Sequence, residues 1–222
     1  MRRFECSALI FDLDGVLVDS ARVVEQQWRR WAVARGLRAE PFLRVCHGRR
    51  ALETIRIAAP QLNAEAEVAA FEPPEEADVA AVAQVAGAAR LLGTLPADAW
   101  GVATSGIRRD AAARLRRAGL PEPAVLVCAE DVLRGKPSPD AYLLAAARLG
   151  ADPATCLVVE DAPAGVQAAR AAAMPVIGLT TTHAADQLAA DAVAATLAGV
   201  YLGRVDRSPN GGRLLEIFVI EP

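Results

Sequence analysis

Five short apolar runs, at residues 8–11, 100–103, 125–128, 156–159 and 176–179, constrain this chain more than any other feature, because four of them are followed by chemically reactive side chains. Runs of this length, rich in Val, Ile and Leu and without alternation, read as strands buried on both faces. Helical-looking segments at 108–118, 139–149 and 162–172 separate the later runs. This alternation predicts an α/β fold, a doubly wound parallel sheet with helices on both faces. In such a sheet the carboxyl ends of all strands share one edge, and ligands bind there where the strand order reverses. Asp12 and Asp14 follow the first run, Thr104, Ser105 and Gly106 the second; Lys136 lies beyond the third, and Glu160 and Asp161 end the fourth. Four clusters distant in sequence are therefore expected at one site.

Residues 20–85 break the rhythm. They are helical in pattern, with Val23, Gln27, Trp28, Trp31 and Val33 suggesting one apolar stripe, and contain no strand candidate. The expected division is a core of residues 1–18 and 86–222 with an inserted helical domain at 19–85, and 222 residues leave room for two cores. Gly87, between two alanines, marks the expected return point and hinge. Near the end, Ser208-Pro209-Asn210-Gly211-Gly212 between apolar runs predicts a terminal β-hairpin.

Charge excludes one class of partner: a net charge of -3 with interspersed signs offers no basic block to neutralise a nucleic-acid backbone. Cys6, Cys46, Cys128 and Cys156 lack CxxC spacing and read as reduced core residues. The opening residues fit neither a signal peptide nor a membrane span, so a cytoplasmic protein without membrane contact is expected; a monomer is the separate expectation for its assembly.

Asp12 and Asp14 alone would be compatible with an Asp-rich turn that satisfies its own backbone. The second acidic pair, Glu160-Asp161, weighs against this, because four acids at one edge repel one another unless a cation sits among them. A hard divalent ion bound by oxygens resolves the conflict.

The segments DLDGVLVDS, VATSG, GKPSPD and VVEDAPAG, in that order, resemble the haloacid dehalogenase superfamily of phosphotransferases, and the insertion after the first resembles an α-helical cap. The resemblance implies Asp12 as a nucleophile that becomes phosphorylated. It implies Asp14 as general acid and then general base. A magnesium ion (Mg2+) would be held by Asp12, the Asp14 carbonyl and Asp161, with Glu160 acting through water or from behind. Lys136 and Thr104, with Ser105 and Gly106, would bind the phosphoryl oxygens.

Within the cap, His47-Gly48-Arg49-Arg50 is similar to the HGxR segment of glycerol-3-phosphate and small sugar-phosphate phosphatases. That mapping implies a small-molecule phosphate monoester as substrate, faced by His47, Gly48 and Arg50, with Arg49 not separable from its neighbour. Two other readings exist. Mutases of the β-phosphoglucomutase type carry a histidine shortly after the first motif, where Val24 stands here. A non-catalytic regulatory module has no need of the complete set Asp12, Asp14, Lys136 and Asp161.

Overall fold

A computed structural model of the chain describes residues 1–71, 73, 80–207 and 212–221. Along the chain run β1 (Arg2–Cys6), β2 (Ala8–Phe11), β3 (Val18–Asp19), α1 (Ala21–Ala34), α2 (Glu40–Leu43), α3 (Ala51–Ala58), α4 (Ala64–Ala69) and β4 (Ala83–Gln84). There follow α5 (Ala88–Thr94), β5 (Trp100–Ala103), α6 (Arg108–Arg117), β6 (Leu126–Val127), α7 (Asp140–Arg148), β7 (Cys156–Glu160) and α8 (Pro163–Ala171). The last are β8 (Val176–Leu179), α9 (Ala185–Leu188), β9 (Ala192–Ala194), β10 (Val200–Arg207) and β11 (Arg213–Val219).

The core is a parallel six-stranded sheet in the order β6-β5-β2-β7-β8-β9. The chain builds outward from β2 to β6, returns to place β7 against the other side of β2, and builds outward again, so the order reverses at the β2/β7 pair. Side-chain alternation divides the apolar residues between two faces. Leu9, Phe11, Trp100, Val102, Leu157 and Val159 pack on one side with Leu91 and Leu115 of α5 and α6. Ala8, Ile10, Val127, Cys156 and Val158 pack on the other with α7 and α8.

Three features depart from the sequence reading. The first face is covered not only by helices but by an antiparallel sheet, β1-β11-β10, which sends Leu215, Ile217 and Val219 inward. The hairpin forms, with its turn outside the described residues. Second, Ala83–Gln84, placed above in an all-helical stretch, pairs with Val18–Asp19 and holds the two chain connections of the insert side by side. Third, Gly87, read above as a hinge, is a packed corner: it opens α5 at φ +92°, and a Cβ there would lie 2.3 Å from the Ala198 nitrogen.

The inserted helices enclose a separate cluster in which the Trp28 and Phe42 rings stack at 5.5 Å, with Trp31 and Phe71 against them. All four cysteines are buried free thiols, and burial pushes those of Cys6 and Cys46 up to about 12. Among the described residues no helix is long and apolar enough to cross a membrane.

Candidate active site

β2 and β7 end side by side, and their ends carry the charges. Asp12 directly follows β2, its amide bonded to the Val159 carbonyl at 2.9 Å, so the β-ladder itself aims the residue at the switch point. Lys136 reaches in from the loop before α7; its ammonium donates to Asp12 Oδ1 at 2.5 Å and to Glu160 Oε1 at 2.7 Å. The Tyr142 hydroxyl donates to the same Glu160 oxygen at 2.8 Å, and the Tyr142 ring lies 4.7 Å from the ammonium. All four side chains are buried.

Burial pushes the Asp12 carboxyl up to about 7, opposed by Lys136 and reinforced by Glu160 and Asp14. Asp161 is driven well above the carboxylate range, first by burial and then by the charges of Glu160 and Asp12. Glu160 goes the other way: burial opposes ionisation, but Lys136 and its hydrogen bonds hold the carboxyl below its usual value. One lysine thus serves two carboxylates, and Asp161 is left in a negative, desolvated position.

That imbalance is where an oxygen-bound cation fits. The Asp161 carboxylate lies so close to Gly15 that a Cβ there would fall 1.9 Å from its Oδ2, which Thr182 anchors at 2.6 Å. Among the described residues no group of three or more His, Cys, Asp and Glu side chains is arranged to hold a metal ion. Two carboxylates and one backbone carbonyl nevertheless suit Mg2+, which keeps several waters and takes ligands from a bound phosphate. Glu160, expected above to act through water or from behind, has both carboxylate oxygens engaged by protein donors. Its Oε1 is taken by Lys136 and Tyr142, and its Oε2 by the amides of Asp161 and Ala162 at 2.8 and 3.0 Å.

Asp14 lies two residues beyond Asp12 and is partly exposed. Its carboxylate accepts from Arg114 Nη1 at 2.8 and 2.9 Å and from the Ser20 hydroxyl at 2.5 Å. The sequence reading missed Arg114, hidden in the basic run of α6. Helical phase is the signal for it: Arg114 is three residues after buried Ala111 and next to buried Leu115, on the inward face. Thr104, at the end of β5, is buried, and its hydroxyl accepts from the Gly106 amide at 3.0 Å. Ser105 instead turns its hydroxyl to the Gly48 carbonyl of the insert at 2.9 Å.

Above these groups a cavity of about 380 Å³ opens between core and insert. Its floor includes Asp12, Asp14, Thr104 and Gly106, and its walls include Trp28, Val24, Phe71, His47 and Arg49. The His47 ring stands 6.0 Å from that of His183, whose Nδ1 lies 3.1 Å from the Asp161 carbonyl. Arg49 donates Nη1 to the Val45 carbonyl at 3.1 Å, and its buried Nε has no partner among the described residues. Arg50 contributes to the same wall, but its guanidinium is paired with Glu53 and turned to core carbonyls.

Residues 6–173 match the family model of haloacid dehalogenase-like hydrolases. The chain is 39% identical over 216 residues to hexitol phosphatase A of Escherichia coli, covering 95% of this chain and 99% of that protein. It is 35% identical over 195 residues to glycerol-1-phosphate phosphohydrolase 2 of Saccharomyces cerevisiae, covering 82% of this chain and 78% of the relative. A crystal structure of a hydrolase from Pseudomonas syringae superposes with a TM-score of 0.75 at 28% identity, covering 85% of this chain and 92% of that one. With the ordered motifs gathered at one sheet edge, these likenesses establish that the chain belongs to the haloacid dehalogenase-like hydrolases.

Proposed function

We propose that the chain is a phosphatase that hydrolyses a small phosphorylated polyol or sugar through a phosphoaspartyl intermediate on Asp12. The observation that carries this reading is a buried carboxylate, held by a buried lysine, on the floor of a cavity of about 380 Å³. That volume is near the lower end of small-molecule sites, which run from ~300 to ~1,000 Å³. The relatives named as hexitol and glycerol-1-phosphate phosphatases support the same substrate class.

In the first half-reaction an Asp12 oxygen bonds to phosphorus as the bond to the ester oxygen breaks, and Asp14 gives the departing oxygen its proton. In the second, Asp14 takes a proton from water as that water attacks phosphorus, and the Asp12–phosphorus bond breaks to release phosphate. Arg114 and Ser20 fix the direction of the Asp14 carboxylate for both transfers. Lys136 and the Thr104–Gly106 turn bind the phosphoryl oxygens, and Glu160 with Tyr142 holds Lys136 in place. Asp12, Asp161 and the Asp14 carbonyl would hold Mg2+, which supplies positive charge against the repulsion between carboxylate and phosphate.

In this reading residues 19–85 form the cap over a core of 1–18 and 86–222, and cap residues choose the alcohol. His47, the backbone of Gly48 and Arg49 face it, Arg49 having donors to spare where Arg50 does not. A mutase reading is disfavoured by Val24, an apolar group in the cavity wall where proton transfer would be needed.

Phosphate release from a panel of polyol, sugar, nucleotide and aryl phosphates, with Mg2+ and with EDTA, tests the proposal. Metal-dependent release is expected, strongest for a polyol or sugar phosphate, and Asp12→Asn should lower it on the order of 10⁴-fold or more. Release that survives in Asp12→Asn removes the covalent route. Interconversion of phosphoglucose isomers without release favours the mutase.

A further inference from the structure

Besides the His47–His183 ring contact, the cap segment 47–53 meets the core at three points among the described residues. Ser105 bonds the Gly48 carbonyl, and Gly48 itself, at φ +73°, lies so close to the start of α8 that a Cβ would fall 2.7 Å from that of Ala162. The third contact belongs to the Arg50–Glu53 pair. Arg50 Nη1 donates to the carbonyls of Ala129 and Val132 at 3.3 and 3.0 Å, and Nη2 to that of Leu133 at 3.1 Å. Arg50 Nε and Nη2 bind the Glu53 carboxylate, so each guanidinium nitrogen is engaged. Glu53 Oε1 in turn accepts from the Gly135 amide at 3.3 Å.

Gly135 immediately precedes Lys136. A Cβ on it would lie 2.5 Å from Arg50 Nε and 2.9 Å from Glu53 Oε2, so a side chain there would have to push the pair out of this position. The pair therefore grips the 129–135 loop along its length, and that loop delivers the ammonium that reaches Asp12. Planar, multiply hydrogen-bonded arginine suits this use better than lysine, because its donors are fixed in one fork.

We propose that Arg50 and Glu53 are positioning residues: by clasping the 129–135 loop when the cap is seated, they set Lys136 against Asp12, and Arg50 serves phosphoryl transfer without touching substrate. The kinetic side of this inference rests on the phosphatase reading, and the loop clasp stands apart from it.

The test compares Arg50→Ala and Glu53→Gln with Arg56→Ala, whose guanidinium pairs with Glu65 on the exposed side of α3. Steady-state kinetics on an aryl phosphate and on the best polyol phosphate are measured beside hydrogen–deuterium exchange of residues 129–136. Arg50→Ala should lower kcat by about ten- to a hundredfold on both substrates, with KM little changed. It should also quicken exchange across the loop, as should Glu53→Gln to a lesser degree, while Arg56→Ala matches wild type in both. A rise in KM confined to the polyol phosphate, with exchange unchanged, would make Arg50 a substrate ligand and overturn the proposal. Faster exchange with kcat unaltered would equally overturn it, since the loop would then loosen without moving Lys136. Should wild type release no phosphate at all, the phosphatase reading falls, and exchange alone judges the clasp.

Discussion

Lys136 and Arg49 are both cations beside one cavity, built in opposite ways. Lys136, buried behind the floor at Asp12, is 1% exposed and held between two carboxylates against an aromatic face. Arg49, in the roof, is partly exposed, gives one donor to a local carbonyl and keeps a buried Nε without a partner among the described residues. The floor is organised by the chain's own side chains, as the proposed transition-state stabilisation requires, because charges already in place need no rearrangement during the reaction. The roof leaves hydrogen-bonding capacity unused, as a surface that selects among alcohols requires. Under the proposed function this division corresponds to rigid chemistry on the sheet and adjustable selection on the insert.

The largest expected break of this contrast is Lys136→Met. Filling the space without the charge leaves Asp12 and Glu160 buried and unpaired, so the variant should lose about 3–5 kcal/mol in urea denaturation along with nearly all turnover. A loss under about 1 kcal/mol would mean that the floor is not prearranged by this pair. Arg49→Ala probes the other side. It should raise KM for a polyol phosphate about tenfold while shifting stability by no more than about 0.5 kcal/mol; a substantial stability loss would make the roof structural too.

The smallest effect concerns Glu53, at the join of the two regions. Burial works against its ionisation, but the hydrogen bonds and charge of Arg50 hold the carboxyl below 4.5, its ordinary value. A folded value below the unfolded one contributes stability that is complete above the unfolded value and lost as pH falls through the folded one. The stability gap between wild type and Glu53→Gln at pH 7 should therefore narrow as pH falls below about 4.5. A gap that persists in acid would assign it to packing instead of charge.

The strands carrying Asp12, Thr104 and Glu160 were legible because central parallel strands are continuous apolar runs, and a run of four or five such residues is hard to mistake. β1 was not legible: Arg2–Cys6 is charged at three of its five positions, an edge strand whose partner is more than 200 residues away. β9, with three small residues, carries too little pattern to register. Tyr142 was hidden in an alanine-rich helix where any phase looks apolar. Arg114 and Glu53 looked like ordinary surface charges because their partners, Asp14 and Gly135, lie on other segments.

Local pattern and the geometry of parallel sheets were enough to bring Asp12, Lys136 and Glu160 to one edge, since both act through the backbone and need no knowledge of neighbours. Which oxygen goes to which donor was decided only in three dimensions. Glu160 turned to Lys136 and two amides, and Arg50 turned to the 129–135 loop while its neighbour Arg49 stayed in the cavity wall. Those outcomes depend on where the cap lands on the core, and adjacent residues with identical side chains can differ only through the surfaces that meet them there.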